Sequence, residues 1–419
     1  MTEMARRDAA TNLPPFDVAA LRAEFPILSR TVNGKPLVFL DSGASAQKPR
    51  AVIDGMAEMM RTRYANVHRG VHTLSQEATD DFERARSKIA RFLNAAHEDE
   101  IVITRSVTEA INLVAHAYGR ANFGPGDEIL VSEMEHHANI VPWQLVADQV
   151  GAKVRPIPIT DAGELRLDAL AAMLGPQTRM VAVTHVSNVL GTVNPVAEVV
   201  RLAHHHGVPV LLDGAQAAVH GPVDVQALDV DFYGFTGHKL YGPTGIGVLY
   251  GKQALLDLMP PWQGGGDMID RVSFDGTTFK APPHRFEAGT PPIVEAVGLG
   301  IAIDFVGRIG WDAIAAHEQS LLQAATERLS GIDGLRILGT AAEKAAIVSF
   351  VVEGVHSMDL AMLLDRAGVA VRVGHHCAEP LMRRLGVDST LRASFAAYNT
   401  LDEVGVLADA VTRAVERLR

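Results

Sequence analysis

The sequence is poor in cysteine, in aromatic residues and in positive charge. Its 419 residues include one cysteine, Cys377, which excludes an intramolecular disulfide and a multi-cysteine metal site. We expect no bound metal. The formal net charge of −11 argues against general nucleic-acid binding, which needs a basic face. No apolar run reaches about 18 residues without a charge, so we expect no transmembrane helix and no membrane partner.

Targeting signals are also missing from the start of the sequence. The first 16 residues carry Arg6 and Arg7 but no apolar segment, and their acidic residues do not suit a transit peptide. We therefore expect a cytoplasmic protein. Since 47% of the residues are hydrophobic, the chain can bury a large core, which we expect to divide into two domains.

One lysine stands inside a glycine-rich stretch, FTGHKLYGPTGIGVLYG (235–251). Lys239 directly follows His238 and comes shortly after Thr236, and the glycines behind it let the backbone crowd close to a ligand. This setting is typical of a Schiff-base lysine, whose amine must be partly desolvated so that its pKa falls. A surface lysine on a glycine-rich turn is the simpler interpretation of this stretch when it is taken alone.

A second stretch, VPVLLDGAQ (208–216), is an apolar strand that ends at Asp213. A carboxylate in this position can pair with the protonated ring nitrogen of pyridoxal 5'-phosphate and strengthen the ring as an electron sink. Gln216 could hydrogen-bond the phenolic oxygen of the ring. A strand-end aspartate often only caps the next helix. The order and spacing of Asp213 and Lys239 favour the cofactor interpretation.

Six segments carry a resemblance to a known family. They are LVFLDSGASAQKP (37–49), NVHRGVHTLS (66–75), EHHANIVPW (135–143), the Lys239 stretch, RVGHHCAEPLM (372–382) and RASFAAYNT (392–400). With them the sequence resembles the group II cysteine desulfurases, within the class V aminotransferase group of pyridoxal-phosphate enzymes. The resemblance implies the α/β fold type I of pyridoxal-phosphate transferases. That fold has a large domain with a mostly parallel, seven-stranded sheet and a smaller α+β C-terminal domain.

The resemblance also implies the domain boundaries. Residues 1–34 are expected to pack on the small domain, and residues 35–292 to form the large cofactor-binding domain, opening with the strand of LVFLDSGASAQKP. Residues 293–419 are expected to form the small domain that carries the catalytic cysteine.

The cofactor site implied by the family is pyridoxal 5'-phosphate held as a Schiff base on Lys239. His136 is expected to lie over the ring, and Asn188 to face the substrate or the ring oxygen. Ser106 and Glu109 predict a capping box at a helix start that can hold the phosphate. The family often has two threonines there; this chain has Val107 and then Thr108, so only Thr108 is expected to contact the phosphate.

The expected cofactor-binding residues are Lys239, Asp213, Gln216, Thr236, His238, Thr108, His136, Asn188, Gly289 and Thr290. Gly289 and Thr290 are expected to reach the phosphate of a neighbouring subunit. The active site is then completed only in a homodimer.

Cys377 decides the expected reaction. A lone cysteine is most often a buried small hydrophobe. In HHCAEP, however, two histidines, Arg372 and Pro380 make a polar, cation-rich loop that should favour the thiolate. The family then implies that Arg392 clamps the carboxylate of L-cysteine, Lys239 moves the Cα proton, and Cys377 takes the sulfur as a persulfide, leaving alanine. Catalytic roles are expected for Cys377, Lys239 and His136, and substrate contacts for Arg392, Arg372, Asn188, His68 and Arg69.

The loop that carries Cys377 is short. Only residues 374–379 separate the preceding strand from a helix that Pro380 is expected to open. Its ends are pinned, so the thiol cannot swing far, and a sulfur-acceptor protein should have to reach it.

Another class of function remains open from the residues alone, an aminotransferase or a related pyridoxal-phosphate lyase that never uses Cys377. An inactive binding protein on the same fold would require the loss of Lys239 or Asp213, and both are present. Iron–sulfur cluster assembly is the expected destination of the sulfur. Thiolation of other molecules and selenium delivery from selenocysteine stay open.

Overall fold

The computed structural model describes residues 16–419, and its central element is a seven-stranded sheet. The strands are β1 (Ile101–Thr104), β2 (Glu128–Ser132), β3 (Lys153–Ile157), β4 (Thr178–Thr184), β5 (Val210–Asp213), β6 (Phe232–Thr236) and β7 (Gly247–Gly251). Their order across the sheet is β1-β7-β6-β5-β4-β2-β3. Strand β7 is antiparallel to both of its neighbours, and every other pair is parallel. The predicted mostly parallel sheet is therefore confirmed.

The strands are apolar on both faces because helices cover the sheet on both sides. In β5, Val210 and Leu212 lie in one hydrophobic cluster and Leu211 lies in another. Alternate residues point to opposite faces of a strand, so one short apolar run supplies both cores.

Eleven helices of seven or more residues belong to the described chain. They are α1 (Arg50–Thr62), α2 (Thr73–Phe92), α3 (Val107–Val114), α4 (Val141–Val150), α5 (Leu167–Met173), α6 (Val196–His205), α7 (Ile293–Ile309), α8 (Trp311–Ser330), α9 (Ser357–Arg366), α10 (Glu379–Leu385) and α11 (Leu401–Leu418). Shorter helical segments cover Val18–Ala23, Arg120–Asn122, Ala217–His220, Val225–Leu228 and Gln253–Leu258. Within residues 16–419, none is long and apolar enough to cross a membrane.

The start of α3 differs in one respect from the predicted capping box. Ser106 Oγ accepts a hydrogen bond from the backbone N–H of Glu109 at 3.2 Å, as expected. The carboxylate of Glu109 accepts from the backbone N–H of Arg105, one residue before the cap. Half of the reciprocal box is formed, and it still fixes where the helix begins.

A second sheet forms the small domain. Strands β8 (Leu335–Leu338), β9 (Ile347–Val352), β10 (Arg372–Gly374) and β11 (Thr390–Ser394) are antiparallel in the order β8-β9-β11-β10. Buried side chains of this sheet share a third hydrophobic cluster with helices α8, α9 and α11. The predicted small α+β domain is therefore present.

Two sets of contacts cross the predicted domain boundaries. The strand Val38–Phe39, expected to open the large domain, pairs in parallel with Val369–Ala370 of the small domain. Helix α7, expected to begin the small domain, lies against the large one. Its Ile301 fills the space left by the missing Cβ of Gly55 in α1. Pairing between segments more than 300 residues apart leaves no mark in local periodicity.

Two further hairpins complete the described chain. One joins Thr31–Val32 to Lys35–Pro36, and the other joins Ile269–Ser273 to Gly276–Phe279. The second lies in a long polar, glycine-rich stretch of the sequence. Most of its residues are exposed, including Phe274 at its turn. Residues 1–15 of the predicted N-terminal segment lie outside the described residues.

Candidate active site

Most of the predicted site residues meet in one cavity of about 240 Å³. Strands β2, β4, β5 and β6 are parallel, so their carboxyl ends reach one edge of the sheet, and β10 and β11 of the small domain close the other side. The predicted residues that line the cavity are Thr108, His136, Asn188, Thr236, His238, Lys239, Arg372, Cys377 and Arg392. The lining residues that had no predicted ligand role are Gly43, Ala44, Ser106, Val107 and His376.

Lys239 lies in a tight turn directly after β6. The backbone N–H groups of Leu240 and Gly242 both donate to the carbonyl of Gly237, each at 3.0 Å. Burial lowers the pKa of the Lys239 ammonium to about 8, against the attraction of Asp213, and Arg392 lowers it further. About a tenth of the lysine is then free amine at pH 7. Within residues 16–419, Nζ donates no hydrogen bond to a protein group, so the amine is available to a ligand.

Lys48 fixes the peptide group that precedes this lysine. Its Nζ donates to the carbonyl oxygens of Ala46 and His238, at 2.5 and 2.8 Å. Burial lowers the pKa of Lys48 to about 8. Sequence reasoning gave Lys48 no role, because its partner His238 is 190 residues away.

Asp213 ends β5 and is buried. Its Oδ1 accepts a hydrogen bond from the backbone N–H of Ala215 at 3.0 Å. Burial raises the pKa of the Asp213 carboxyl, and the Ala215 N–H and Lys239 oppose that rise. A buried carboxylate is costly without a cation, so this site suits the protonated ring nitrogen of the predicted cofactor.

Gln216 lies just behind the cavity wall. Its Nε2 donates to the carbonyl oxygen of Gly43 at 2.8 Å, which ties the N-terminal part of the chain to the end of β5. Its predicted contact with the ring oxygen stays a prediction.

The start of α3 is shaped to hold a phosphate. Ser106, Val107, Thr108 and Thr236 all line this end of the cavity. Gly247 makes the arrangement possible, since a Cβ there would come within 2.3 Å of the Ser106 backbone. The first-turn amides of a helix have no intrahelical acceptors and attract anions. Together with Lys239 and Asp213, these residues fit pyridoxal 5'-phosphate.

His136 follows β2 and is held in one orientation. The preceding carboxylate, Glu135, accepts hydrogen bonds from Ser132, Asn139 and Thr184. The His136 Nδ1 accepts from the backbone N–H of Ala138 at 3.0 Å, so the proton of the neutral ring is on Nε2. Burial, with Lys239, His137 and Arg392 nearby, lowers the pKa of His136 to about 4. The imidazole is uncharged at neutral pH.

Arg392 is buried in β11 and has unused donors. Its Nη1 donates to the carbonyl oxygen of Asn188 at 2.9 Å, and its Nη2 to the Oδ1 of Asp41 at 3.2 Å. Its buried Nε–H has no acceptor among the described residues. A buried guanidinium with free N–H groups is suited to a carboxylate ligand.

Asn188 lines the cavity and also contacts the loop that carries Cys377; its predicted contact with the substrate or the ring oxygen stays a prediction. Its side-chain Nδ2 donates to the carbonyl oxygen of His376 at 2.8 Å. The amide nitrogen is therefore used to hold the Cys377 loop, although Asn188 also lines the cavity.

Cys377 lies in a tight turn between β10 and α10. The backbone N–H of Ala378 donates to the carbonyl oxygen of His375 at 2.9 Å, and both central residues have positive φ, 52° for His376 and 55° for Cys377. This is a type I′ turn built without glycine, which costs of order 1 kcal/mol or more at each residue. The large domain holds it, because the backbone N–H of His137 donates to the Cys377 carbonyl at 2.6 Å. The thiol itself is exposed.

His376 does not add the positive charge expected of it. Its Nε2 lies 2.8 Å from the Thr390 Oγ1, and burial, with Arg392 the next cause, lowers its pKa to about 3. The ring is neutral at physiological pH. Arg372 and Arg392 therefore supply the positive charge of the cavity on the side of Cys377.

Besides Asp213 and Gln216, four predicted residues do not line the cavity of this chain. His68 Nε2 lies 2.7 Å from the Glu83 Oε1, and the Arg69 Nε lies 2.7 Å from the Asp267 Oδ1. Gly289 donates its N–H to the carbonyl of Gly266, and Thr290 is exposed. Their roles in ligand binding stay predictions.

The fold and the cavity define an enzyme that works with pyridoxal 5'-phosphate. Residues 38–407 match the family model of the class-V aminotransferases. The chain is 55% identical over 390 residues to the cysteine desulfurase of Dickeya dadantii, covering 93% of this chain and 94% of that protein. It is 51% identical over 401 residues to a probable cysteine desulfurase of Mycolicibacterium paratuberculosis, covering 96% of this chain but 58% of that protein.

A solved structure agrees with these relatives. The crystal structure of the cysteine desulfurase CsdA from Escherichia coli, in an S-sulfonic acid form, is 44% identical with a TM-score of 0.90. The likeness covers 96% of this chain and all of that one. The chain belongs to the class-V aminotransferase family and, within it, to the cysteine desulfurases. Its cofactor is pyridoxal 5'-phosphate.

The depressed pKa of Lys239 predicts how the cofactor-free protein takes up its cofactor. The neutral amine is the nucleophile, so the rate of uptake should rise with pH, with a midpoint near 8, and level off above it. Stopped-flow growth of the visible absorbance between pH 6.5 and 10 measures this rate.

Two variants test the roles of the lysine and of its neighbouring carboxylate. Lys239→Ala should give no covalent visible band. In Asp213→Asn the midpoint should fall, because Asp213 holds the lysine pKa up. A rate that still climbs tenfold per unit at pH 9.5 would contradict the burial argument.

Proposed function

We propose that the chain removes sulfur from L-cysteine, releases L-alanine and holds the sulfur as a persulfide on Cys377. The observation that carries this proposal is that Cys377 lines the same cavity as Lys239 and Arg392. This reaction needs three groups, which are a nucleophilic sulfur, an amine for the cofactor and a cation that binds the substrate carboxylate.

Lys239 and Asp213 serve the cofactor in this proposal. When bound, pyridoxal 5'-phosphate supplies an electron sink for the pair of electrons left when the substrate Cα loses its proton. Lys239 Nζ takes that proton and returns one later, a task that suits an amine with a pKa near 8. The buried Asp213 carboxylate stabilises positive charge at the ring nitrogen.

Arg392 holds the substrate carboxylate through its free N–H groups. Support comes from its burial and from the Nε–H that lacks an acceptor among the described residues. Burial of this kind excludes water and strengthens a charge-assisted hydrogen bond. The neutral ring of His136 lines the cavity, where it would help to hold the cofactor ring and could pass a proton through Nε2.

Cys377 performs the sulfur transfer. Its thiolate forms a bond to the substrate sulfur while the bond between that sulfur and Cβ breaks. The electron pair of the broken bond stays with carbon, which takes up a proton and becomes the methyl group of alanine. The carbon is reduced as the two sulfurs are oxidised to the persulfide level, so no external oxidant is needed.

A homodimer is part of the proposal. The exposed apolar residues Val272, Phe274 and Phe279 lie on the hairpin Ile269–Ser273/Gly276–Phe279, which supports its burial against a second copy. Gly289 and Thr290 follow the same stretch and do not line the cavity of their own chain. We propose that they complete the phosphate site of the partner.

The persulfide is passed to a sulfur-acceptor protein. Cys377 is exposed on a turn that His137 and Asn188 hold at both of its central residues, so the acceptor must come to the thiol. We favour iron–sulfur cluster assembly as the destination, because that process consumes sulfur that must stay bound rather than escape as sulfide. A free catalytic thiol also needs a reducing compartment, which supports the cytoplasm.

An anaerobic assay tests the reaction. Holoenzyme given L-cysteine and no keto acid should release alanine in a fast burst equal to the number of active sites, followed by a slow phase that an acceptor accelerates. Cys377→Ser should still bind L-cysteine but lose at least about 10³-fold of the alanine production. Alanine production by Cys377→Ser at the normal rate, or a strict need for a keto acid, would favour a lyase or an aminotransferase.

Subunit complementation tests the shared site. Lys239→Ala is expected to be inactive, and Thr290→Ala to bind the cofactor about tenfold more weakly by losing one charge-assisted hydrogen bond. After the two variants are mixed and allowed to exchange subunits, each mixed dimer should contain one intact site and one doubly altered site, so tight cofactor binding should return at half of the sites of the mixed dimers. If Thr290 instead served its own chain, mixing would restore nothing.

A further inference from the structure

A second cavity, of about 250 Å³, lies where the two domains meet, and we call it the interdomain cavity. The large domain contributes His185, which follows β4, and His220, which ends a short helix. The small domain contributes Glu318 from α8 and Lys344 from the segment before β9. No described residue lines both this cavity and the candidate active site. The interdomain cavity is therefore a separate site.

His185 offers a hydrogen-bond donor to the interdomain cavity. Its Nδ1 lies 3.2 Å from the Oη of Tyr233. Tyr233 is fully buried, and Nδ1 is the one partner of its hydroxyl among the described residues, so the hydroxyl donates to Nδ1. Burial lowers the pKa of His185 to about 4, so the ring is neutral at physiological pH. The single proton of the neutral ring is then on Nε2.

His220 is tied to the small domain through Glu318. Its Nδ1 lies 2.6 Å from the Glu318 Oε2, and the two side chains are 10% and 4% exposed. A carboxylate oxygen accepts, so Nδ1 carries a proton, and Nε2 has no partner among the described residues. An anion next to the ring favours the imidazolium form, in which Nε2 also donates.

Lys344 brings the third donor group. Its Nζ donates to the carbonyl oxygen of Gly339, which leaves two N–H groups. Burial lowers the pKa of Lys344 to about 8, so about nine-tenths of the lysine stays charged at pH 7. Among the described residues that line the interdomain cavity, four are ionisable, namely Lys344, Glu318 and the two histidines. With His220 protonated, these four groups carry one net positive charge.

Apolar side chains form much of the remaining wall. Val186, Ala217 and Ala345 are buried in one hydrophobic cluster with Val193 packed against it, and all four line the interdomain cavity. Apolar walls compete for no donor and strengthen a charge-assisted hydrogen bond by lowering the local dielectric constant. Three donor groups on separate segments suit an ion with three or more oxygens, whereas a carboxylate has only two.

We propose that the interdomain cavity binds a tetrahedral oxyanion, of the kind of phosphate or sulfate, through His185, His220 and Lys344. The bound ion ties the end of β4 and the short helix before Gly221 to the small domain. The site also touches the cofactor-binding edge of the sheet, because the backbone N–H of His185 donates to the carbonyl oxygen of Asp213 at 2.9 Å. This inference does not depend on the proposed function.

Calorimetric titration of the holoenzyme tests the proposal. The probes are inorganic phosphate, sulfate, glycerol 3-phosphate and acetate, compared at one ionic strength. Phosphate and sulfate should bind, and acetate should bind about tenfold more weakly, because it leaves one charged donor unused. Glycerol 3-phosphate separates a free ion from a phosphate ester, since the tighter of the two phosphates identifies the source, and either order supports the site.

Two variants locate the bound ion. His220→Gln and Lys344→Met should each weaken phosphate binding about tenfold by removing one charge-assisted hydrogen bond. Since His220→Gln also breaks an ion pair between the domains, Lys344→Met gives a second test that keeps this pair. The visible band of the cofactor on Lys239 shows that each variant is folded. His205→Gln, which changes an exposed histidine near the end of α6, is the matched control and should alter the affinity by less than about twofold.

Three results would overturn the inference. The first is no binding of either free ion at about 50 mM, a concentration that reveals even a millimolar site. The second is unchanged phosphate affinity in both variants, which would place the ion elsewhere, with Arg392 the first candidate. The third is acetate that binds as tightly as both free ions. Each leaves the proposed function standing, because alanine release from L-cysteine is measured separately.

Discussion

The structure depends on the contacts that hold the Cys377 turn of the small domain against the strand ends of the large domain. Two carbonyl oxygens of the turn, on His376 and Cys377, accept hydrogen bonds from Asn188 and from the His137 backbone. The positive φ angles of the turn cost free energy that these contacts offset. Without them the thiol would sit on a small loop of no fixed position, and the amine of Lys239 would have no sulfur nucleophile opposite it.

The edge of the sheet at which the parallel strands end also determines the positions of the other functional side chains. Parallel strands bring His136, Asn188, Asp213 and Lys239 to one side because each follows the carboxyl end of a strand. Burial then sets their protonation. It brings the pKa of Lys239 down to about 8 and that of His136 to about 4, so a usable amine and a neutral imidazole share one site at physiological pH. Arg392 stays charged and keeps donors for an anion.

The sequence alone predicted the sheet, the small domain and nine of the residues that line the cavity. Their motifs lie at strand ends, where residue type and spacing indicate the chemistry of a site. Sequence analysis missed Asp41 and Lys48, whose partners are distant in sequence and whose segment reads as an ordinary strand and turn. It also treated His376 as a cation, since a motif shows residue type but not burial. Sequence analysis also did not predict that Val38–Phe39 pairs with a strand of the small domain. Pairing between strands that are distant in sequence is a property of the whole fold.

The central claim is that sulfur from L-cysteine becomes bound to Cys377. The most direct measurement is mass spectrometry of the peptide that contains Cys377, after anaerobic mixing of the holoenzyme with one equivalent of L-cysteine and rapid quenching. We expect the mass of one added sulfur atom on Cys377 and one alanine released for each site. Release of alanine while Cys377 remains an unmodified thiol would contradict the account.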